Sequence, residues 1–178
     1  MAGITGIVLA AGAGTRAGGP KALRRADDGT PWIELAVDAL RAATEDIVVV
    51  LGAAPEAPVP GFVHTVIAED WQRGLSASLR AGLAAVPSTD AALVTLVDLP
   101  GLPRSVVERV VHQSWPGVLR QATYDGRPGH PVLLGRDHVR RAAERLDGDR
   151  GARAYLVDNG VEEIECADLW DGTDVDTA

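Results

Sequence analysis

The sequence predicts an α/β fold built on a mostly parallel mixed sheet, and three observations carry that reading. Short apolar runs rich in β-branched residues alternate with amphipathic stretches of helical spacing, the order that places helices on both faces of a sheet. The first apolar run leads straight into the glycine-rich stretch from residue 11 to residue 20. A later apolar run ends on Asp98 and is stopped by Pro100, which puts a carboxylate at the strand end where such sheets bind ligands.

Residues 5–10 (TGIVLA) are nearly continuous in apolar side chains, as strands covered on both faces are. After the glycine stretch, residues 27–29 signal a turn. Thr30 then supplies an N-cap and Pro31 the first helical position of a helix over residues 32–43. Residues 46–52 (DIVVVLG) form a second strand, and the proline-rich run that follows an exposed loop. A third strand spans 62–68, a helix runs from 74 to 86, and a fourth strand covers 91–97. Residues 103–113 make another helix. Short strands at 118–124 and 131–134 flank the turn Asp125-Gly-Arg-Pro-Gly, which predicts an antiparallel element in the second half. Helices over 136–146 and 152–159, an edge strand over 161–166 and an irregular acidic tail complete the chain. No repeat or long linker divides it, so residues 1–178 read as one domain.

Composition narrows the partners. The net charge is −8, which disfavours nucleic acid and anionic membrane as ligands. The lone Cys166 excludes an intramolecular disulfide. No signal-peptide pattern opens the chain, and no apolar run approaches the roughly 20 residues of a membrane span. The expected location is cytoplasmic.

The glycine stretch carries Gly12, Gly14, Gly18 and Gly19, with Arg16 among them and Lys21 after Pro20. Glycines let the backbone approach a ligand closely, and successive N–H groups with nearby cations make an anion site. Neither familiar phosphate loop fits. The dinucleotide fingerprint G-x-G-x-x-G fails because Gly14 and Gly18 are one residue too far apart. The P-loop fails because Pro20-Lys21-Ala22 lacks both the glycine and the hydroxyl that flank its lysine.

The stretch resembles the signature of the MobA-like NTP transferases, L-A-A-G-x-x-x-R-x-G-x-x-K, met here by Leu9, Ala10, Ala11, Gly12, Arg16, Gly18 and Lys21. That resemblance implies a Rossmann-like three-layer nucleotidyltransferase fold and transfer of an NMP group from an NTP to a phosphate acceptor, with pyrophosphate released. It implies that the backbone at Leu9, Ala10, Ala11, Gly12 and Gly14 lies along base and phosphates, and that Arg16 and Lys21 neutralise the triphosphate. Asp98 in Asp98-Leu-Pro100 resembles the family's metal-binding D-x-P aspartate. Mg²⁺ takes one or two carboxylates plus phosphates and water. Asp176, beside Asp174, matches the second metal position, although relatives continue into a helix where this chain stops at Ala178.

Further segments resemble the molybdenum cofactor cytidylyltransferases. The run G-L-S-x-S-L-R-x-G over residues 74–82 corresponds to a base-contacting segment and assigns Ser76 and Ser78 to nucleotide binding. Read without the resemblance, either serine is an ordinary cap at a helix start. The motifs G-x-x-G-H-P (126–131) and G-D-x-G-A-R (148–153) place Arg127, His130, Asp149 and Arg153 on the acceptor side. Taken alone, His130 reads as a structural histidine. The resemblance thus implies CTP as donor, a molybdopterin-type acceptor, and a recipient molybdoenzyme or its chaperone as partner. GTP or a sugar phosphate as substrate, or a non-catalytic nucleotide-binding role, remain the alternatives.

Overall fold

The computed structural model describes residues 3–15, 18–86, 88–146 and 151–175. Among them, the strands are β1 (Ile4–Ala10), β2 (Ile47–Leu51), β3 (His64–Ile67), β4 (Ala91–Leu96), β5 (Leu119–Tyr124), β6 (Arg127–Gly135) and β7 (Glu162–Glu165). The helices are α1 (Trp32–Leu40), α2 (Leu75–Ala84), α3 (Arg104–Val111), α4 (Arg136–Arg145) and α5 (Arg153–Asp158). None of these helices is long and apolar enough to cross a membrane.

The strands form one sheet in the order β3-β2-β1-β4-β6-β5-β7. β1 pairs in parallel with β2 and β4, β2 with β3, and β5 with β7; β6 alone runs antiparallel to its neighbours. This is the mostly parallel mixed sheet the sequence predicts, with the antiparallel element in the second half.

Alternation along the strands explains their apolar runs. Val8, Ala10, Val49 and Leu93 pack under α1 and α3. Ile7, Leu9, Val50 and Val94 pack under α2, α4 and α5 on the opposite face. Every second side chain enters a different layer, so a strand covered on both sides must be apolar throughout. Gly6 and Gly82 mark close approaches, a Cβ at Gly82 lying against Ile7 and Val50.

Three local expectations are corrected. Thr30 does not cap α1: the residue before the helix is Pro31, extended and without a side-chain cap bond, while the Thr30 N–H donates to Asp28 Oδ1 at 2.9 Å. Ser76 and Ser78 do not cap α2 either, because Gly74 occupies that position with φ 104° and both serines lie buried inside the helix. β6 starts at Arg127, before the apolar run, because its exposed first half is the arm of a hairpin with β5, beyond the covered part of the sheet.

The acidic tail is irregular, as expected, but it is docked rather than loose. Trp170 stands edge-on to Tyr124 with ring centroids 5.4 Å apart. Gly172 has φ 72° and lies against the same tyrosine, where a Cβ would run into the ring. The Val175 N–H donates to the Asp98 carbonyl at 3.0 Å. Upstream, Glu165 accepts backbone N–H bonds from Ala167 at 2.9 Å and from Gly126 and Asp125 at 3.1 Å, which hold its carboxyl down to about 2. The tail is thereby pinned to the β5–β6 hairpin and brought back to the end of β4.

Replacing Gly172 with Ala combines an unfavourable φ with a clash, each worth about 1–3 kcal/mol. Gly172→Ala is expected to undock the tail and red-shift the emission of Trp170, read as the difference from a Trp170→Phe background. An unshifted spectrum would show that the tail is held without this contact.

Candidate functional site

The end of β1 sets the site. Leu9 pairs with Leu96 of β4, and the Val97 N–H continues the ladder by donating to the Leu9 carbonyl at 3.1 Å. The glycine loop leaving β1 and Asp98 leaving β4 therefore emerge side by side. The loop closes on itself: the Gly19 N–H donates to the Gly14 carbonyl at 3.0 Å. Gly14 has φ 58°, and a Cβ there would strike the Gly19 backbone, so glycine is required. Gly52 at the end of β2 is equally constrained, wedged between the Ala11 carbonyl and Trp71.

A short 3₁₀ turn, Lys21–Leu23, follows the loop and aims Lys21 at β4. Lys21 Nζ donates to Asp98 Oδ2 at 2.8 Å, and the two side chains are 17% and 16% exposed. Asp98 Oδ1 is buried and, like Thr95 Oγ1, accepts or donates no hydrogen bond among the described residues.

These groups open on a cleft of about 580 Å³. Leu9, Ala10, Ala11, Gly12, Gly14, Lys21, Ser78 and Asp98 all line it. Ser76 does not. Its hydroxyl instead donates to the Gly151 carbonyl at 3.4 Å. Trp71, Gln72, Gly74 and Leu75 complete the wall at the start of α2, where free helix N–H groups favour anions. Sequence reasoning missed Trp71 and Gln72, although they directly precede the Gly74 motif.

A second cavity of about 190 Å³ adjoins the first, sharing Leu9 and Leu75 with it. His130 and Arg153 line it, among walls that include Leu79, Val94, Val132, Leu134 and Leu156. Gln121, unremarked in the sequence, also lines it and donates through Nε2 to the Gly129 carbonyl at 3.1 Å. Burial pushes the His130 imidazole down to about 4, with a smaller upward pull from the Asp98 carboxylate. Arg127 sits exposed at the hairpin turn, outside both cavities, its Nε 3.4 Å from the Tyr124 carbonyl. Arg16, Asp149 and Asp176 lie outside the described residues.

Asp98 fits a divalent cation: a carboxylate oxygen buried without a partner is a ligand position. Among the described residues no group of three or more His, Cys, Asp or Glu side chains is placed to hold a metal. A cation here would draw further ligands from phosphate oxygens and water. Val175 is bonded to the Asp98 backbone at the same strand end.

Residues 6–163 match the MobA-like NTP transferase domain. The chain belongs to that family. A curated relative, nicotine blue oxidoreductase of Paenarthrobacter nicotinovorans, is 36% identical over 188 aligned positions, covering 98% of this chain and 92% of that protein. The crystal structure of Rv0371c from Mycobacterium tuberculosis H37Rv is 30% identical with a TM-score of 0.85, over 99% of this chain and 93% of that one. A complex of Rv0371c with manganese superposes with a TM-score of 0.74 at 27% identity, over 92% and 87% of the two chains. A nucleotidyl transferase from Methanothermobacter shares the fold, with a TM-score of 0.81 at 23% identity over 98% and 92%.

His130 binds its proton near 6.5 in an ordinary setting and near 4 when folded. The unfolded chain therefore holds more protons between those values, and the stability the neutral imidazole contributes is complete above about 6.5 and lost as pH falls toward 4. His130→Gln is expected to flatten the fall in urea midpoint between pH 7 and pH 5. An unaltered fall would show that the imidazole titrates normally.

Proposed function

We propose that this protein is a Mg²⁺-dependent nucleotidyltransferase that moves CMP from CTP to a molybdopterin-type acceptor and releases pyrophosphate. The carrying observation is the Lys21–Asp98 pair at the mouth of the glycine-loop cleft, with the second Asp98 oxygen buried and unpartnered among the described residues. In such a transfer an acceptor phosphate oxygen attacks the α-phosphorus in line, the bond to the β-phosphate oxygen breaks, and charge accumulates on the departing pyrophosphate. The protein's part is to position and neutralise rather than to form bonds. Backbone N–H groups from Ala11 to Gly14 and the start of α2 cradle the phosphates. Lys21 and Arg16 meet the charge on the leaving group. Asp98, with Asp176 or Asp174, would hold the cation. Bound Mg²⁺ would supply charge neutralisation at the phosphates.

The preference for CTP is supported by the resemblance of residues 74–82 and by Ser78 on the cleft wall. Ser76 then acts through the Gly151 backbone rather than on the base. On the acceptor side, the apolar cavity with a neutral His130 suits a flat heterocycle better than a bare sugar phosphate. Arg153 and Gln121 supply polar contacts at its wall, and the motif resemblance assigns Arg127 and Asp149 to the acceptor as well.

A second reading follows from one observation, the 36% identity to nicotine blue oxidoreductase across nearly the whole chain. In that reading the cleft holds an electron-donating dinucleotide and the smaller cavity its partner in redox chemistry. The unpartnered Asp98 oxygen favours transfer, since hydride transfer needs no metal ligand there.

Pyrophosphate release measured with CTP, GTP, ATP and UTP, with molybdenum cofactor supplied, separates these readings. Release is expected with CTP at least tenfold above the other nucleotides. Release with GTP alone would move the assignment to the guanylyl reaction. Binding without turnover would make the chain an accessory protein, and oxidation of NADH or NADPH without pyrophosphate would favour the oxidoreductase. Removing one charge-stabilising donor raises the barrier by about 3–4 kcal/mol. Lys21→Met and Asp98→Asn are each expected to lower turnover several-hundredfold with the circular dichroism spectrum unchanged; near-full activity in either would remove that residue from the mechanism.

A further inference from the structure

Lys21 and Asp98 are assigned to different partners, the one to polyphosphate and the other to a cation, yet in this structure they hold each other. Lys21 Nζ lies 2.8 Å from Asp98 Oδ2, while Asp98 Oδ1 is buried and unpartnered among the described residues. The two oxygens flank one carbon, so a divalent cation bound at Oδ1 stands next to the ammonium at Oδ2. Both side chains are largely screened from water, where like charges repel strongly. Cation and ammonium therefore compete for a single carboxylate.

We propose that Lys21 closes the Asp98 cation site in the nucleotide-free protein, and that the polyphosphate of the incoming nucleotide opens it by drawing the ammonium away. This rests on the nucleotidyltransferase reading of the cleft and extends it to the order of events. Both residues line the same cleft, so an anion bound there lies within reach of the lysine. Lys21 begins the turn that leaves the glycine loop, and its flexible four-carbon stem can re-aim without moving the backbone. No covalent bond changes; ion pairs are exchanged. A cation arriving alone gains a shared carboxylate and surrenders water. A cation arriving with polyphosphate gains phosphate oxygens as well, and the lysine exchanges one anionic partner for another. Nucleotide and cation thus strengthen each other, and by linkage the strengthening is reciprocal.

Mn²⁺ serves as the probe, its binding to the nucleotide-free full chain followed by electron paramagnetic resonance. Wild type is expected to bind weakly and Lys21→Met at least tenfold more tightly. Asp98→Asn is expected to bind more weakly than wild type, and the double variant to show no gain. Lys21→Gln, expected to tighten binding likewise, replaces the Met variant should that fail to fold. Calorimetry with α,β-methylene CTP tests the second half: Mn²⁺ should strengthen its binding more in wild type than in Lys21→Met. If Lys21→Met binds Mn²⁺ no better than wild type while Asp98→Asn weakens it, the latch is overturned and the metal role of Asp98 stands. If Asp98→Asn leaves Mn²⁺ binding unchanged, the metal role itself is wrong and the latch falls with it. Equal coupling in wild type and Lys21→Met overturns the opening step alone.

Discussion

The parallel pairing of β1 with β4 is the constraint on which the site depends. Its register, Leu9 opposite Leu96, is fixed because each strand buries both faces. A slip by one residue would exchange the side chains of the two helical layers. With that register held, the glycine loop and Asp98 leave the sheet at one point, and Lys21 meets a carboxylate 77 residues further along the chain. The mixed second half of the sheet adds the other wall. Antiparallel β6 crosses beside β4 and carries His130 to the second cavity.

Among the described residues the electrostatics of that meeting point are unfinished. A buried polar oxygen without a partner costs about 1–3 kcal/mol, and Asp98 Oδ1, unpartnered among those residues, carries such a deficit. The paired Lys21 offsets the charge but not the missing ligand. The neutral His130 does not compensate either, since burial opposes its protonation more than Asp98 favours it. An arrangement kept at this cost is suited to a ligand that supplies both a cation and anionic oxygens, as a metal–triphosphate does.

The strands, the glycine loop and Asp98 were legible in the sequence because each has a short-range signature. These are a continuous apolar run, glycines where φ is positive, and a proline that stops the strand. The start of α2 was misread because Gly74 takes the capping position with φ 104°, which leaves the serines no capping role. The docking of the tail was not legible, since it depends on Trp170 and Gly172 meeting Tyr124 across the hairpin. Gln121 was missed for a similar reason: nothing marks it in β5, and it reaches the cavity through the pairing of β5 with β6. Arg127, conspicuous in its motif, stands at the turn and outside the cavities.

The proposed transfer requires a metal–triphosphate at the strand ends of β1 and β4. The most direct measurement is a crystal structure with α,β-methylene CTP and Mn²⁺, read through the anomalous signal of the metal. Mn²⁺ is expected on Asp98 Oδ1 and phosphate oxygens, with Lys21 turned onto the polyphosphate. Mn²⁺ bound elsewhere, with Lys21 still on Asp98 and the phosphates outside the glycine loop, would overturn the assignment of this cleft to a metal–triphosphate.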